Sequence, residues 1–407
     1  MGVSALTIDG STQNPGEVLR RIERGIGRLI SPSAAIVFVT GHLVEHADAI
    51  ADGIASRHPG LCATVAATES LFTERGELEG RDGFGCLLHS GRPSRLLTYE
   101  SSYGPFSRAL SAEPPGNRTQ NDVLSQSNLA LVPAMHLFSN LPSGIGQIGR
   151  ISPEYSGLGW FGADTTTDAP IWTVAQDGDV GTAAVCRLEL PGLRPPIIVS
   201  ASCCRVVSEP MTVTGISGTT LLELDGTPAL IALSKVTSQL AERSWIVLAM
   251  VGEECAATHV SVDSGDAPPR TVAEVVPGSP TPTIFRPLRG IDPARGALVL
   301  REAIPRGSRV AIAVRDDHLA RKSLDESLRC AKMTLSGAYP RFGLYFEGLG
   351  RGRQLFGAPN VEHSLVRQAF GEFPLLGSRS TLEFQELGGS LIVQAMSGEL
   401  ALFTNAS

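Results

Sequence analysis

The chain has 407 residues, 42% of them hydrophobic, enough to fill the cores of two or three domains of ~150 residues each. Its 34 Lys and Arg against 41 Asp and Glu leave a formal charge of −7, which excludes a whole-surface attraction to nucleic acid or to an anionic membrane. The longest apolar runs, 245–251 and 129–132, fall far below the ~18 residues of a spanning helix, and no basic segment precedes an apolar core at the start. The expectation is a soluble, cytoplasmic protein with no nucleic-acid or membrane partner.

Residues 35–40 form a short apolar, β-branched run, hence a strand. Val44-Glu45-His46 then opens a helix with Ala47, Ile50, Ala51 and Ile54 on one face, Pro59-Gly60 stops it, and 61–65 starts a second strand. Hairpin-like runs at 82–89 and 96–100 follow. A weaker copy of this unit occupies the middle, with a strand at 131–138, a stretch through Ile145 and Ile148, and Gly157–Gly162, followed by strands at 171–175 and 182–190. Leu193-Arg-Pro-Pro196 marks a boundary, giving halves 1–196 and 197–407. Residues 112–118 and 264–270 carry loop composition.

The carboxyl end repeats the unit more closely. Residues 342–346 read as a strand, Val361-Glu362-His363 opens a helix with Leu365, Val366, Ala369 and Phe370 on one side, and Phe373-Pro374 ends it before a strand at 375–378. Strands at 381–385, 391–396 and 399–403 follow. Each unit ends in hairpins instead of a further helix, so the expected fold is α+β, with mixed, largely antiparallel sheets, helices packed outside, and two related halves.

Between the last strand and helix lies EGLGRGRQLFG, 347–357. A phosphate cradle needs Gly-x-x-x-x-Gly-Lys-Ser/Thr, and the lysine is absent. A dinucleotide fingerprint needs glycine at the sixth position, where counting from Gly350 gives Leu355. What remains is a sharp strand exit with accessible backbone amides at Gly350 and Gly352, flanked by the guanidinium forks of Arg351 and Arg353. Two readings stay open: a clamp for an anionic ligand, and a tight bend whose arginines pair with carboxylates such as Glu347 or Glu362.

Other chemistry-bearing residues point to structure. Glu45-His46 and Glu362-His363 occupy equivalent helix starts, where a carboxylate is favoured by the helix dipole. The eight histidines show no metal-binding spacing, and His136, in an apolar run, reads as a core histidine or as a single haem ligand. Seven cysteines, including the adjacent Cys203 and Cys204, contain no C-x-x-C pair and read as reduced, mostly buried thiols. Asp225, followed by Gly226, reads as a turn residue or a helix cap. Glu253 and Glu254 are neighbours on a strand and point to opposite faces. No catalytic residue and no metal site is assigned.

GLYFEGLGRGRQLFG at 343–357, LLELDGTPAL at 221–230 and ALVLREAIPRGSRVAIAVRDD at 297–317 resemble segments of the FIST domain. RGELEG at 75–80 and GLGWFGADTTTDAPIW at 157–172 resemble its amino-terminal segments less closely. The resemblance implies a two-part sensory domain that binds small ligands such as amino acids, with haem and nitric oxide in some relatives. It also implies a cysteine where Gly348 stands. The expected ligand site is Gly350, Arg351, Gly352 and Arg353 for an anionic group, with Glu223 and Asp225 for an ammonium. The expected function is a ligand-binding signal-transduction protein that acts on a signalling protein partner. A haem-binding gas sensor, a protein-interaction scaffold and a hydrolase-like enzyme stand as alternatives.

Overall fold

A computed structural model describes residues 4–99, 126–133, 147–150, 160–165, 169–183, 185–238, 246–250, 285–300, 303–381, 383–387 and 390–405. The loops expected at 112–118 and 264–270, His136 and the Glu253-Glu254 pair lie outside the described residues. Among the described residues the fold is α+β, with four sheets in which antiparallel pairings predominate, as the sequence suggests.

Two of the sheets are built on one plan. In the first, Ser4–Gly10, Gly83–Ser90, Pro32–Thr40 and Cys62–Ala67 lie side by side in that order, extended by the hairpin Ile171–Val174 and Val180–Ala183. In the second, Ile197–Ser202, Ser397–Phe403, Phe342–Gly348 and Leu375–Ser380 follow the same sequence of pairings. In each, the central pair is parallel, Pro32–Thr40 with Cys62–Ala67 and Phe342–Gly348 with Leu375–Ser380, because a helix crosses over between its members. The crossover helices are Ala47–Arg57 and Val361–Phe370. The strand-helix-strand unit thus occurs at both places where the sequence repeats it closely, and most of the weaker middle copy lies outside the described residues. One local difference concerns 44–46, which belong to a 3-10 turn, Gly41–His46, so the α-helix begins at Ala47.

The two sheets stack with helices on their outer faces. Their inner faces meet through Ile36 and Phe38 on one side and Leu344 and Phe346 on the other, with the Phe38 and Phe346 rings edge-on at 6.4 Å. On the outside, helix Pro15–Ile26 and helix Ala47–Arg57 bury Val18, Ile22, Ile50 and Ile54 against the first sheet. Helix Asp317–Thr334 and helix Val361–Phe370 bury Leu324, Leu328, Val366 and Phe370 against the second. Caps fix two of these helices: Asn14 accepts from the Gly16 amide at 2.9 Å, and Asp316 from the Leu319 amide at 2.9 Å.

The hairpin Ser70–Thr73 and Gly76–Glu79, which follows the first parallel pair in sequence, adds to the second sheet through antiparallel pairing of Ser70–Thr73 with Leu375–Ser380. A third sheet likewise mixes strands from both sides of position 196, Gln126–Pro133 and Trp160–Thr165 with Glu383–Leu387. The stretch 182–190, read from sequence as one strand, is split between Val180–Ala183 and Val185–Pro191 in different sheets. The fourth sheet closes on itself, because Arg309–Arg315 pairs with both Met211–Ser217 and Ile246–Met250. Its interior is filled by residues such as Val213, Leu224, Leu248 and Ile312, with helix Ala229–Thr237 packed on it.

Among the buried acids of the sheets, Glu399 stands on the strand next to the one that leads into the turn at 348–352. Glu399, 1% exposed, accepts from Ser200 Oγ at 2.6 Å across the Ser200–Glu399 strand pair. Burial pushes its carboxyl up to about 8. A carboxyl with a raised native pKa holds more protons folded than unfolded between the ordinary carboxylate range and about 8, so stability falls as pH rises through that window. Denaturant unfolding at pH 5, 6.5 and 8 is expected to show a decline of up to ~1.4 kcal/mol per pH unit from this one proton. Glu399→Gln is expected to flatten the decline, and an unchanged slope in that variant would contradict the assignment.

Candidate functional site

The strand Phe342–Gly348 leaves its sheet at Gly348, and the chain turns through Leu349, Gly350, Arg351 and Gly352 into the short helix Arg353–Phe356. Gly350 and Gly352 hold φ of +93° and +64°, the left-handed side that L-residues with a Cβ adopt at a cost, which is why the turn alternates glycine with arginine. The tight reversal carries the Arg351 side chain back into the protein, where it is 1% exposed. Its Nε donates to Glu362 Oε1 at 2.7 Å, its Nη2 lies 2.6 Å from the same oxygen, and its Nη1 donates to the Ala201 carbonyl at 2.8 Å. Tyr345 OH donates to Glu362 as well. Of the two readings left open by the sequence, the structure places Arg351 in a pair with Glu362.

A second ion network lies beside the first. Arg379 donates through Nη2 to Glu347 Oε2 at 2.7 Å and also to Glu79, which belongs to the hairpin contributed by the amino-terminal region. Glu79 Oε1 accepts from the Arg353 amide at 3.3 Å. Glu77 of the same hairpin exchanges two hydrogen bonds with Asn360: the Glu77 amide donates to Asn360 Oδ1 at 2.7 Å, and the Asn360 amide donates to Glu77 Oε2 at 2.9 Å. Asn360 takes the left-handed conformation, φ +62°, immediately before helix Val361–Phe370. His363 adds a contact of 2.9 Å between Nε2 and the Glu74 carbonyl. The turn and the hairpin are thus joined by backbone and side-chain bonds from segments some 280 residues apart in sequence.

These networks bring carboxylate oxygens of Glu77, Glu347 and Glu362 within 4.8 Å of one another. Burial, and then the charge of Glu362, push the Glu347 carboxyl well above the ordinary carboxylate range. Burial would raise Glu362 too, but the Arg351 charge and the Tyr345 hydrogen bond outweigh it and leave its pKa lowered. Burial likewise lifts Glu77 to about 7.

Adjoining Glu77 is a cavity of about 230 Å³ between Ser4–Gly10 and the hairpin. Leu71, Leu78 and Phe84 form its apolar wall. Its polar side holds Asp9, Arg75 and Glu77. Asp9 accepts from Thr73 Oγ1 at 2.7 Å and lies 3.0 Å from Arg75 Nη1. Arg75 is mostly exposed, whereas Asp9 is largely covered, so the pair sits at the mouth with the acid inward.

The sequence-derived site residues are placed in two groups. Gly350, Arg351, Gly352 and Arg353 form one turn, with Arg351 enclosed and the Arg353 side chain exposed. Glu223 and Asp225 are exposed on the closed fourth sheet, and neither is among the described residues lining the cavity. Asp225, at φ +49°, accepts from the Thr212 amide at 2.8 Å and makes the turn there; helix Ala229–Thr237 has no side-chain cap. The buried His89 lies with Nδ1 3.2 Å from Ser33 Oγ and its ring against Phe342, an arrangement of a core histidine. Sequence reasoning missed Asp9, Arg75 and Glu77 as site residues. The one signal available for two of them was the RGELEG segment, which carried only a resemblance.

Gly348 is constrained by its neighbours. A Cβ there would lie 2.5 Å from the Ser397 carbonyl oxygen and 3.0 Å from Glu383 Oε1, so the cysteine implied by the family resemblance does not fit this backbone. Gly348→Ala is expected to cost about 1–3 kcal/mol in urea unfolding, as overpacking against backbone does. Arg351→Ala is expected to cost about 3–5 kcal/mol, because it strands the buried Glu362 carboxylate. Arg353→Ala should stay within ~0.5 kcal/mol. Equal losses for the two arginine variants would contradict the placement of Arg351 in a buried pair.

Residues 257–384 match the FIST C domain. An uncharacterized protein of Mycobacterium tuberculosis (strain CDC 1551 / Oshkosh) is 31% identical over 230 residues, and one of Mycobacterium bovis (strain ATCC BAA-935 / AF2122/97) is 29% identical over 230 residues. Each alignment covers 56% of this chain and 56% of the relative, so the chain spans about half the length of the curated relatives it matches. The matched FIST C segment takes in the strand, the Gly-Arg-Gly turn and the helix that carry Glu347, Arg351 and Glu362, so over 257–384 the chain is similar to a FIST C domain.

Proposed function

We propose that this chain is a small-ligand sensor whose ligand is amino-acid-like and binds in the cavity between Ser4–Gly10 and the hairpin. The observation that carries this reading is the division of the cavity wall into one apolar patch, one cation and two acids. Asp9 and Glu77 suit a ligand ammonium, Arg75 suits a carboxylate, and Leu71, Leu78 and Phe84 suit an apolar side chain. A volume of about 230 Å³ accommodates a molecule of that size. The FIST C match supports a sensory role without naming the ligand.

In this reading the turn of Gly350, Arg351, Gly352 and Arg353 is the relay. Glu77 faces the cavity and is bonded to Asn360, while Glu79 is bonded to the Arg353 amide, so a ligand that repositions the hairpin acts on the turn and on the start of helix Val361–Phe370. Glu223 and Asp225, on the separate closed sheet, have no part in the proposed relay. The output is a signalling protein partner, met in the cytoplasm.

A thermal-shift panel of the common amino acids and small carboxylates tests the reading. At least one amino acid is expected to stabilise the protein, by ~2.7 kcal/mol at about 100 times its Kd. Asp9→Asn and Arg75→Ala, each at the cavity mouth, are expected to abolish the shift while leaving the unliganded melting temperature within a few degrees. A panel with no stabiliser at millimolar concentration, or a shift that survives both variants, would overturn the proposal.

A further inference from the structure

The glutamate cluster next to the cavity is more than the pairing of two arginines requires. Glu347 and Glu362 are 2% and 0% exposed, yet Glu347 Oε1 and Glu362 Oε2 find no donor other than a proton shared between the two carboxyls, and the buried Glu77 Oε1 finds none. Buried carboxylate oxygens without partners are costly, and native proteins satisfy them with a donor, water or a cation. The remaining oxygens of the same residues are all used: Glu362 Oε1 by Arg351 and Tyr345, Glu347 Oε2 by Arg379, Glu77 Oε2 by the Asn360 amide. One oxygen of each glutamate is therefore held in place by a fixed partner while the other is left over. The three acids converge to within 4.8 Å.

Charge tells the same story. Among the described residues of the two networks, four acids, Glu77, Glu79, Glu347 and Glu362, meet two arginines, Arg351 and Arg379, so a proton or a cation is needed to balance the cluster. The donors are all carboxylate oxygens, with no thiolate or imidazole among them, which is the preference of hard divalent cations such as Ca²⁺, Mg²⁺ and Mn²⁺. Oxygens up to 4.8 Å apart fit around one such ion at metal–oxygen distances of about 2.1–2.5 Å. Glu77 also lines the cavity, so the cluster has a route for an ion to enter.

We propose that Glu77, Glu347 and Glu362 form a site for one hard divalent cation that ties the amino-terminal hairpin to the carboxyl-terminal turn. The site shares Glu77 with the cavity, but it stands whether or not the cavity takes an amino acid. The rival arrangement is proton sharing, in which Glu347 carries a proton and donates it to Glu362 without any metal.

The full chain, treated with EDTA, desalted and kept free of amino acids, is titrated with Mn²⁺ by electron paramagnetic resonance, and its melting temperature is read with Mn²⁺, Ca²⁺ and Mg²⁺. The expected result is one Mn²⁺ bound per chain and a metal-dependent rise in melting temperature. Glu347→Gln is expected to weaken Mn²⁺ binding by about tenfold or more, and the exposed-surface variant Glu326→Gln to leave it unchanged. Should Glu347→Gln fail to fold, Glu77→Gln, at the half-buried edge of the cluster, is expected to give the same loss. Absence of bound Mn²⁺ and of any melting shift in the unaltered chain would overturn the proposal in favour of proton sharing. Binding that persists unchanged in a folded Glu347→Gln or Glu77→Gln variant would overturn it as well.

Discussion

The structure around the turn depends on one buried ion pair, Arg351 with Glu362. Two charges removed from water are stable together only if their attraction and added hydrogen bonds offset the lost solvation. Here the guanidinium is divided between Glu362 and the Ala201 carbonyl, and the carboxylate also takes the Tyr345 hydroxyl. Those partners lie on Ile197–Ser202, Phe342–Gly348 and Val361–Phe370, so the pair fastens two strands and the crossover helix at one point. Space for it comes from a missing side chain: a Cβ on Gly398 would lie 2.4 Å from the Tyr345 hydroxyl and 3.1 Å from Arg351 Nε. The glycines of the turn and of the neighbouring strand thus serve the arginine as much as they serve the bend.

The two stacked sheets share a plan, but the candidate site arises where that plan is broken. The hairpin Ser70–Thr73 and Gly76–Glu79 leaves the region that encodes it and completes the second sheet. It brings Glu77 and Glu79 to the turn and, on its other side, closes the cavity against Asp9. A molecule held at Asp9 and Glu77 therefore touches both the first sheet and the hairpin that completes the second. Coupling between two units needs such an element, because a contact confined to one rigid unit shifts no equilibrium between arrangements.

Much of the frame was legible in the sequence. Strands Pro32–Thr40 and Phe342–Gly348, their crossover helices and the stops after them follow from apolar period, proline and glycine, and the similarity between the two units is visible as similarity in the chain. The turn was legible as a turn, and the pairing of Arg351 with Glu362 was one of the two options its residues allowed. The site itself was less so. Period and punctuation report which face of an element is buried, whereas Glu77 meets Asn360 only because a hairpin crosses to a distant sheet, and no local pattern encodes that crossing. The same limit explains Glu223 and Asp225: they have the right chemistry for an ammonium, but the closed sheet that carries them leaves both exposed and apart from the cavity. Glu347 and Glu362, named only as possible partners for arginine, are instead the centre of the arrangement.

The central claim is that the buried pair couples the turn to the amino-terminal hairpin. Amide hydrogen exchange on an Arg351→Met variant tests it most directly. The account predicts faster exchange both in 70–79 and in helix Val361–Phe370, with helix Pro15–Ile26 unchanged. Faster exchange confined to the turn and its own helix, with 70–79 as protected as before, would contradict it.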